Sequence, residues 1–402
     1  MGTVRRVLVY RNELLRLSET FILSQVSALQ RYQPVFTGLR RIDPSFDLKL
    51  YTVTVGSRGN NWRDKVWRRV FLRTGQANDF FTECIARRAE IMHAHFAVDA
   101  CAALPIAKKL GIPLVVTLHG YDVTWNEENF RQLPTTRAYL RRKRELWQYA
   151  SLFICVSDYV RSRALARGYP AEKLWVHHIG IQRENNQPAD SSREQPIILF
   201  VGRLVEKKGC IHLIHAMPQV LKEVPDARLV VIGDGPLQEM LEREAKPCSE
   251  KITFLGHQSH AEVKQWMRRA RLLVAPSIRA ANGDEEGLPT VLCEAESLGL
   301  PTLAFETNGV MEAFPEERRS VLPREGDEAG LAREMIHLLK DNAAWLRVSR
   351  LGKNYMDAEF DLERQTRILE DKYDGVVAKH RGFPLVPVPV PMRAEDMIST
   401  AS

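Results

Sequence analysis

Short apolar runs alternate with longer amphipathic stretches along most of the chain, and this alternation restricts the fold more than any other feature. Strand-length segments separated by helix-length ones form parallel sheets covered by helices. Strands are expected at Val4–Val9, Leu50–Val55, Ile91–Ala94, Leu114–Leu118, Leu152–Cys155 and Leu174–His177. A second set is expected at Ile197–Phe200, Arg228–Ile232, Ile252–Phe254, Leu272–Ala275 and Thr302–Phe305. Between the two sets, Arg183 to Ser192 is polar and unpatterned, as a linker would be. A chain of 402 residues also exceeds what one core usually supports. The expected class is α/β, with two Rossmann-like doubly wound parallel-sheet domains, residues 1–185 and 186–375, facing across a cleft. A helix over about 362–379 follows, then a tail (381–402) whose Pro384, Pro387, Pro389 and Pro391 suggest extended chain.

Open sheets of this kind bind ligands outside the carboxyl ends of their strands. Those exits read His95-Phe96, His119-Gly120, Ser157-Asp158 and His178-Ile179-Gly180, then Gly202-Arg203, Gly233-Asp234-Gly235, Gly256-His257 and Ser277. The richest stretch is Pro276 to Gly299, read as a strand exit, a polar loop, and a helix with Pro289 in its first turn and Gly299 at its end. Unpartnered backbone donors and the helix dipole favour an anion at such a helix start. Glu286 and Glu294 bracket it eight residues apart, and Gly287 lets a ligand approach the backbone. A phosphate at the helix start with a hydroxyl-rich group against each carboxylate describes a sugar nucleotide. Taken alone, the same residues serve equally well as a helix end with solvated acids.

Charge narrows the partners. The net charge of +7 suits nucleic acid, an anionic membrane surface or phosphorylated ligands. No helix-turn-helix, zinc-finger or RNA-recognition signature is present, so nucleic acid is not expected. Residues 58–73 carry Arg58, Arg63, Lys65, Arg68, Arg69 and Arg73 against Asp64, interleaved with Trp62, Val66, Trp67, Val70 and Phe71 at helical spacing. Such a segment either lies on an anionic membrane or packs its apolar stripe on its own domain. Arg137 to Arg144 adds five basic side chains. No apolar run approaches the roughly 20 residues of a membrane span, and Val7-Leu8-Val9 is too short for a signal peptide. Six cysteines without a C-x-x-C pair point to reduced thiols in the cytoplasm. The pairs His93/His95, His177/His178 and His212/His215 lack further ligands at metal spacing, so neither metal nor cofactor is expected.

Glu286-Gly287-Leu288-Pro289 followed by Glu294-Ala295 resembles the E-x7-E signature of retaining GT-B glycosyltransferases, glycosyltransferase family 4. Asn282 to Gly287 resembles the branch that makes colanic-acid and amylovoran exopolysaccharides. Matching pieces occur in order at Ser18–Ile22, His93–Phe96, His119–Asp122, Val201–Leu204 and Lys207–Gly209, so the resemblance spans roughly residues 4 to 375. Cys293 and Leu298 inside the signature helix alter packing rather than chemistry.

By this resemblance Arg203 and Lys208 neutralise the departing nucleotide, and the position before Gly209 selects Lys208 over Lys207. Glu294 takes the ribose hydroxyls, and Glu286, favoured over Glu285 by the E-G-L-P register, takes the transferred sugar. Gly287, Leu288, Pro289, Gly235, Gly256 and His257 complete the donor side. His119 lies beside the donor sugar and Asp122 orients it, while Ser18, Glu19, Thr20, His95 and Asp122 serve the acceptor side. Ser18-Glu19-Thr20 also has helix-capping character. The implied activity is a retaining, metal-independent hexosyl transfer from a nucleotide sugar to a lipid-linked glycan precursor, at the inner membrane face. Alternatives are a soluble acceptor such as an aminocyclitol or sugar phosphate, a sugar-nucleotide epimerase, a glycan phosphorylase, or a non-catalytic sugar-nucleotide-binding module. Base, linkage and oligomeric state stay open.

Overall fold

In the computed structural model, residues 4–14, 19–41, 51–57, 59–183 and 195–381 are described. Ser18, Leu50, Arg58, linker residues 184–192 and the tail from 382 lie outside them. Every strand pairing is parallel. The first sheet holds β1 (Arg5–Leu14), β2 (Tyr32–Arg41), β3 (Thr52–Val55), β4 (Ile91–His95), β5 (Leu114–Leu118), β6 (Leu152–Cys155) and β7 (Leu174–Val176). Their spatial order is β3-β2-β1-β4-β5-β6-β7. The second holds β8 (Ile197–Val201), β9 (Arg228–Ile232), β10 (Ile252–Phe254), β11 (Leu272–Ala275) and β12 (Thr302–Ala304), in the order β10-β9-β8-β11-β12. Helices cover both sheets, and β5, β6 and β11 are buried along their whole length, as strands covered on two faces must be.

Strand order reverses between β1 and β4 in one sheet and between β8 and β11 in the other. At such switch points neighbouring connections leave in opposite directions and open a crevice. β1 sharpens the first crevice. It pairs with β4 only from Val7 to Tyr10 but with β2 as far as Leu14, so Arg11, Asn12 and Glu13 run on past β4's partnered edge.

Two strands depart from the sequence expectation. β1 continues five residues past Val9, through a polar stretch that reads as loop. β2 was not expected at all, because Pro34 and Gly38 interrupt its pattern. Pro34 pairs only toward β1, since β3 begins its register at Val35, so its missing N–H costs the sheet nothing on that side. Gly38 fits where a Cβ would stand 2.1 Å from the Arg11 carbonyl oxygen.

The last helix, Leu362–Arg381, returns to the first sheet and buries Leu369, Tyr373 and Val377 against Val7, Val9, Ile91 and Val115. The basic helix, Trp62–Thr74, starts at a capping box in which Asn61 and Asp64 exchange hydrogen bonds. Its two sequence readings separate by face. Phe71 is buried and stacks on Trp67 at 5.5 Å, with Phe80 edge-on at 6.0 Å from Trp67. Trp62, Val66 and Val70 instead stand 69%, 52% and 49% exposed beside exposed Arg63, Arg69 and Arg73. Among the described residues no helix is long and apolar enough to cross a membrane.

Candidate active site

The crevice of the second sheet gathers the acids and cations singled out in the sequence. After β8 the chain turns through Gly202-Arg203-Leu204 into a short 3-10 turn, Glu206–Lys208, held to the β11 exit by Ile278 N–H donating to the Lys207 carbonyl at 2.9 Å. The adjacent lysines choose different partners. Lys208 Nζ lies 2.6 Å from Glu286 Oε1 and Lys207 Nζ lies 3.1 Å from Asp284 Oδ1. Glu285 points elsewhere, to Arg279 at 3.1 Å and to the Tyr159 hydroxyl. So Glu286 and Lys208 pair with each other, while Lys207 and Glu285 take other partners. Burial alone would raise the Glu286 pKa, but Lys208, Lys207 and Arg203 outweigh it and hold the carboxyl at about 2. Arg203 is exposed and acts on Glu286 through its charge, without a direct ion pair among the described residues.

The signature helix runs Thr290–Ser297, so Pro289 occupies the N-cap position rather than the first turn, and Gly299 lies beyond the helix end. No side chain caps its start. Glu294 is partly exposed, and its recessed setting pushes its pKa up to about 7 against the opposing charge of Lys264. At neutral pH it can therefore both donate and accept hydrogen bonds. Glu296, which the sequence left unremarked, is buried and accepts from Thr302 Oγ1 at 2.7 Å. The Gly-rich exits lock together, with Leu204 N–H donating to Asp234 O at 2.7 Å and Gly233 N–H to Gly256 O at 2.8 Å. Leu288 and Pro289 are buried, His257 is exposed, and Gly256 faces open space.

Across the crevice, half-buried His119 leaves β5. Its Nε2 is 3.1 Å from His95 Nδ1, and the Phe96 and Phe21 rings lie 4.5 and 5.0 Å from its own. Burial, then the charge of Arg11, hold its pKa well below the usual range, so the ring is neutral at pH 7. Phe96 takes a positive φ of 71°, a strained backbone for an aromatic residue, directly at the β4 exit.

Three residues expected on the acceptor side are committed to their own chain. Glu19 is buried in a two-pronged ion pair with Arg11, which also reaches Asp99. It occupies the N-cap position of the helix Thr20–Ser27 without a side-chain cap hydrogen bond, while Ser18 lies outside the described residues. His95 is 1% exposed, stacks on His93 at 4.4 Å and meets His119 through Nδ1, while its Nε2 has no hydrogen-bond partner among the described residues. Asp122 is fully buried and accepts N–H from His119 at 2.9 Å and from Ala97 at 2.7 Å. Each supports the rim from behind. Thr20 is half-buried at the helix start. The Arg11–Asp99–Asn12 network was missed because β1 was ended at Val9. Extending the strand would have placed Arg11-Asn12-Glu13 at an exit and exposed the signal.

Asp122→Asn is expected to destabilise the fold by about 1–3 kcal/mol, because the amide turns a donor toward one of two buried N–H groups. Urea unfolding reads this directly. An unchanged midpoint would mean that Asp122 does not hold the two strand exits.

The two crevices meet. Ser157 Oγ donates to the Gly287 carbonyl at 2.7 Å, and Asn126 N–H to Asn282 O at 3.2 Å. Glu312 accepts the N–H groups of Asp158 and Tyr159 at 2.8 and 2.9 Å, so an acid of one domain covers a helix start of the other. The His119 backbone thus packs directly against Gly287, next to Glu286.

The family described as "Glycosyltransferase Family 4" matches residues 24–185, and "Glycosyl transferases group 1" matches residues 181–355. The chain belongs to glycosyltransferase family 4. Its fold is GT-B, and its activity is glycosyl transfer. Among curated relatives, the amylovoran biosynthesis glycosyltransferase AmsK of Erwinia amylovora is 28% identical, over 68% of this chain and 67% of that one. A GDP-mannose-dependent monoacylated alpha-(1-6)-phosphatidylinositol monomannoside mannosyltransferase of Corynebacterium glutamicum is also 28% identical, over 72% and 78%. Among solved structures, sucrose-phosphate synthase of Thermosynechococcus elongatus superposes with a TM-score of 0.73 at 18% identity, covering 93% of this chain and all of that one. HepE of Anabaena, solved with UDP and glucose, gives 0.70 at 17%, over 92% and 100%. At these identities the two structures bear on the fold alone.

Proposed function

We propose that this family 4 enzyme transfers a hexose from a nucleotide sugar, with retention and without a metal, to a lipid-linked glycan precursor at the inner membrane face. The observation that carries it is the ionised Glu286 paired with Lys208 beside Arg203, opposite His119. A diphosphate leaving group needs positive charge fixed in place before the bond breaks. Arg203 offers a planar fork and Lys208 a point charge, which together do the work of a cation. The start of the signature helix adds partial positive charge. Glu286 accepts hydroxyls of the donor sugar and sets negative charge near the anomeric carbon as positive charge develops. Glu294, able to donate and accept, suits a ribose diol. Neutral His119 contributes a hydrogen bond without adding charge. The exopolysaccharide and glycolipid roles of the curated relatives favour a lipid-linked acceptor.

Purified protein is tested by thermal shift with UDP, GDP, ADP and dTDP and their sugars, in EDTA. One nucleotide is expected to raise the melting temperature selectively. A response that appears only with added Mg²⁺ would overturn metal independence, and none under any condition would overturn the donor assignment.

The outward stripe of the basic helix supplies the membrane contact. Val66→Asp with Val70→Asp is expected to weaken binding to anionic vesicles by about tenfold or more, since each apolar side chain loses its favourable transfer and adds a repelled charge. Cosedimentation at fixed salt measures it. Undiminished binding would remove the helix from the membrane contact.

A further inference from the structure

The basic helix has a third side. Besides its buried face (Trp67, Phe71) and its outward stripe (Trp62, Val66, Val70), it turns Lys65 and Arg68 into a cavity of about 390 Å³ at the carboxyl ends of β1 and β2. Asn12, Glu13, Arg40 and Asn60 line the same cavity. Its size falls in the range of roughly 300–1,000 Å³ typical of ligand sites.

Two of the cavity's cations, Arg68 and Lys65, have no carboxylate partner among the described residues. Arg68 is held by three neutral oxygens, Ser57 Oγ at 2.9 Å, Gly59 O at 3.2 Å and Asn60 Oδ1 at 2.9 Å. The same Asn60 oxygen accepts from Arg40 at 3.2 Å, which brings two guanidinium groups to one amide. Arg40 has Glu13 as its carboxylate, while Lys65 has no partner among the described residues. Burial and the charge of Arg40 lower the Arg68 pKa, and Asp64 and Glu13 offset this only in part. Folding gains nothing from crowding like charges around a neutral acceptor. An anion with several acceptor oxygens relieves the repulsion and uses both forks.

Location restricts which anion. Asn12 belongs to the cavity, and its backbone N–H and side chain bind Asp99, the partner of Arg11; Arg11 in turn donates to the His95 carbonyl behind His119. Hydrogen bonds thus link the cavity to the β4 exit beside His119, on the side assigned above to the acceptor. Meanwhile Trp62, Val66 and Val70 of the same helix would sit at a headgroup boundary, the level at which a lipid-linked acceptor carries its phosphate.

We infer that this cavity binds the phosphate or diphosphate of the acceptor, through Arg40, Lys65 and Arg68. The inference rests on the lipid-linked reading above and extends it to the acceptor's anionic group. A phosphorylated soluble acceptor presents the same chemistry, and the test separates the two sources.

Full-length protein and its Arg68→Gln/Lys65→Gln variant are titrated with inorganic pyrophosphate, and with phosphatidylcholine vesicles lacking or carrying a polyprenyl diphosphate. Arg203 and Lys208 also attract pyrophosphate, so the difference between the two proteins is the readout. The variant is expected to bind both probes about tenfold or more weakly, as loss of charge-assisted hydrogen bonds predicts. Doped vesicles bound more tightly than free pyrophosphate identify a lipid-linked source; equal binding identifies a soluble one. A variant that matches wild type on both probes overturns the inference. If Arg68→Gln fails to fold, exposed Lys65→Gln alone must still weaken binding severalfold. Nucleotide thermal shift runs in parallel, where the variant should respond like wild type. Loss of that response in wild type itself would count against the donor reading and leave the cavity result standing.

Discussion

Lys208→Ala is expected to lower kcat by about 10²–10³-fold while leaving the protein folded, the range for removing one fixed electrostatic stabiliser of the departing group. Two effects combine. The leaving diphosphate loses a point charge, and Glu286 loses its 2.6 Å partner inside a buried site. Lys207 cannot step in, because its ammonium is held at Asp284 and its carbonyl is tied to Ile278. With Lys208 gone, burial pushes the Glu286 carboxyl upward, and it becomes a candidate for protonation near neutral pH. Stability reports this separately from activity. In the native protein the Glu286 pKa is depressed, so its contribution is present above the unfolded value of about 4.3 and is lost as pH falls through about 2. The variant should lack that acid-range loss, and unfolding midpoints between pH 5 and pH 2 measure it. Glu286→Gln keeps the shape but frees Lys208, and a comparable loss of turnover with tight nucleotide binding is expected. Full activity in either variant would remove the pair from the chemistry.

The contacts of the residues assigned to the donor were more legible in the sequence than those of the residues assigned to the acceptor, for a physical reason. Donor residues lie on short loops at strand exits: Glu286, Gly287 and Pro289 sit within one turn and Lys208 differs from Lys207 only by register, although only the fold brings Lys208 to Glu286. Strand exits together with the resemblance to the E-x7-E signature therefore singled them out. Acceptor-side roles depend on contacts distant in sequence. Glu19 reads as a cap until Arg11 is known to be opposite it, and Asp122 reads as a ligand until the Ala97 and His119 amides are seen to converge on it. His93 is bridged at 2.6 Å to Tyr373, from the far end of the chain. β2 was hidden because Pro34 and Gly38 mark turns in most contexts, and only strand neighbours show why both are tolerated. The basic helix was ambiguous because one sequence pattern served two apolar faces, and only burial divides Trp67 and Phe71 from Trp62, Val66 and Val70.

Gly287→Ala tests whether the two crevices must close on each other. A Cβ there would lie 2.2 Å from the His119 carbonyl oxygen, a backbone atom of the opposite domain that cannot swing aside as a side-chain tip could. Nor can the loop retreat. Behind it Gly309 packs so closely that its own Cβ would stand 1.9 Å from the Glu286 carbonyl oxygen. The added methyl must therefore part the domains, losing the Ser157–Gly287 hydrogen bond and moving His119 away from Glu286. Gly287 itself contributes no side chain to either core, so both domains should fold, and nucleotide binding should persist because its residues belong to the second domain. Turnover is expected to fall about 10²-fold or more, the scale at which an ångström of misplacement is felt, with a larger radius of gyration by small-angle scattering. Ser157→Ala removes one contact without wedging the interface, and its loss should be only severalfold, within roughly 0.5–1.5 kcal/mol for one hydrogen bond. If Gly287→Ala kept wild-type turnover and dimensions, the close approach of His119 to the donor loop would play no part in transfer. If it lost turnover at unchanged dimensions, the methyl would be acting inside the donor pocket instead.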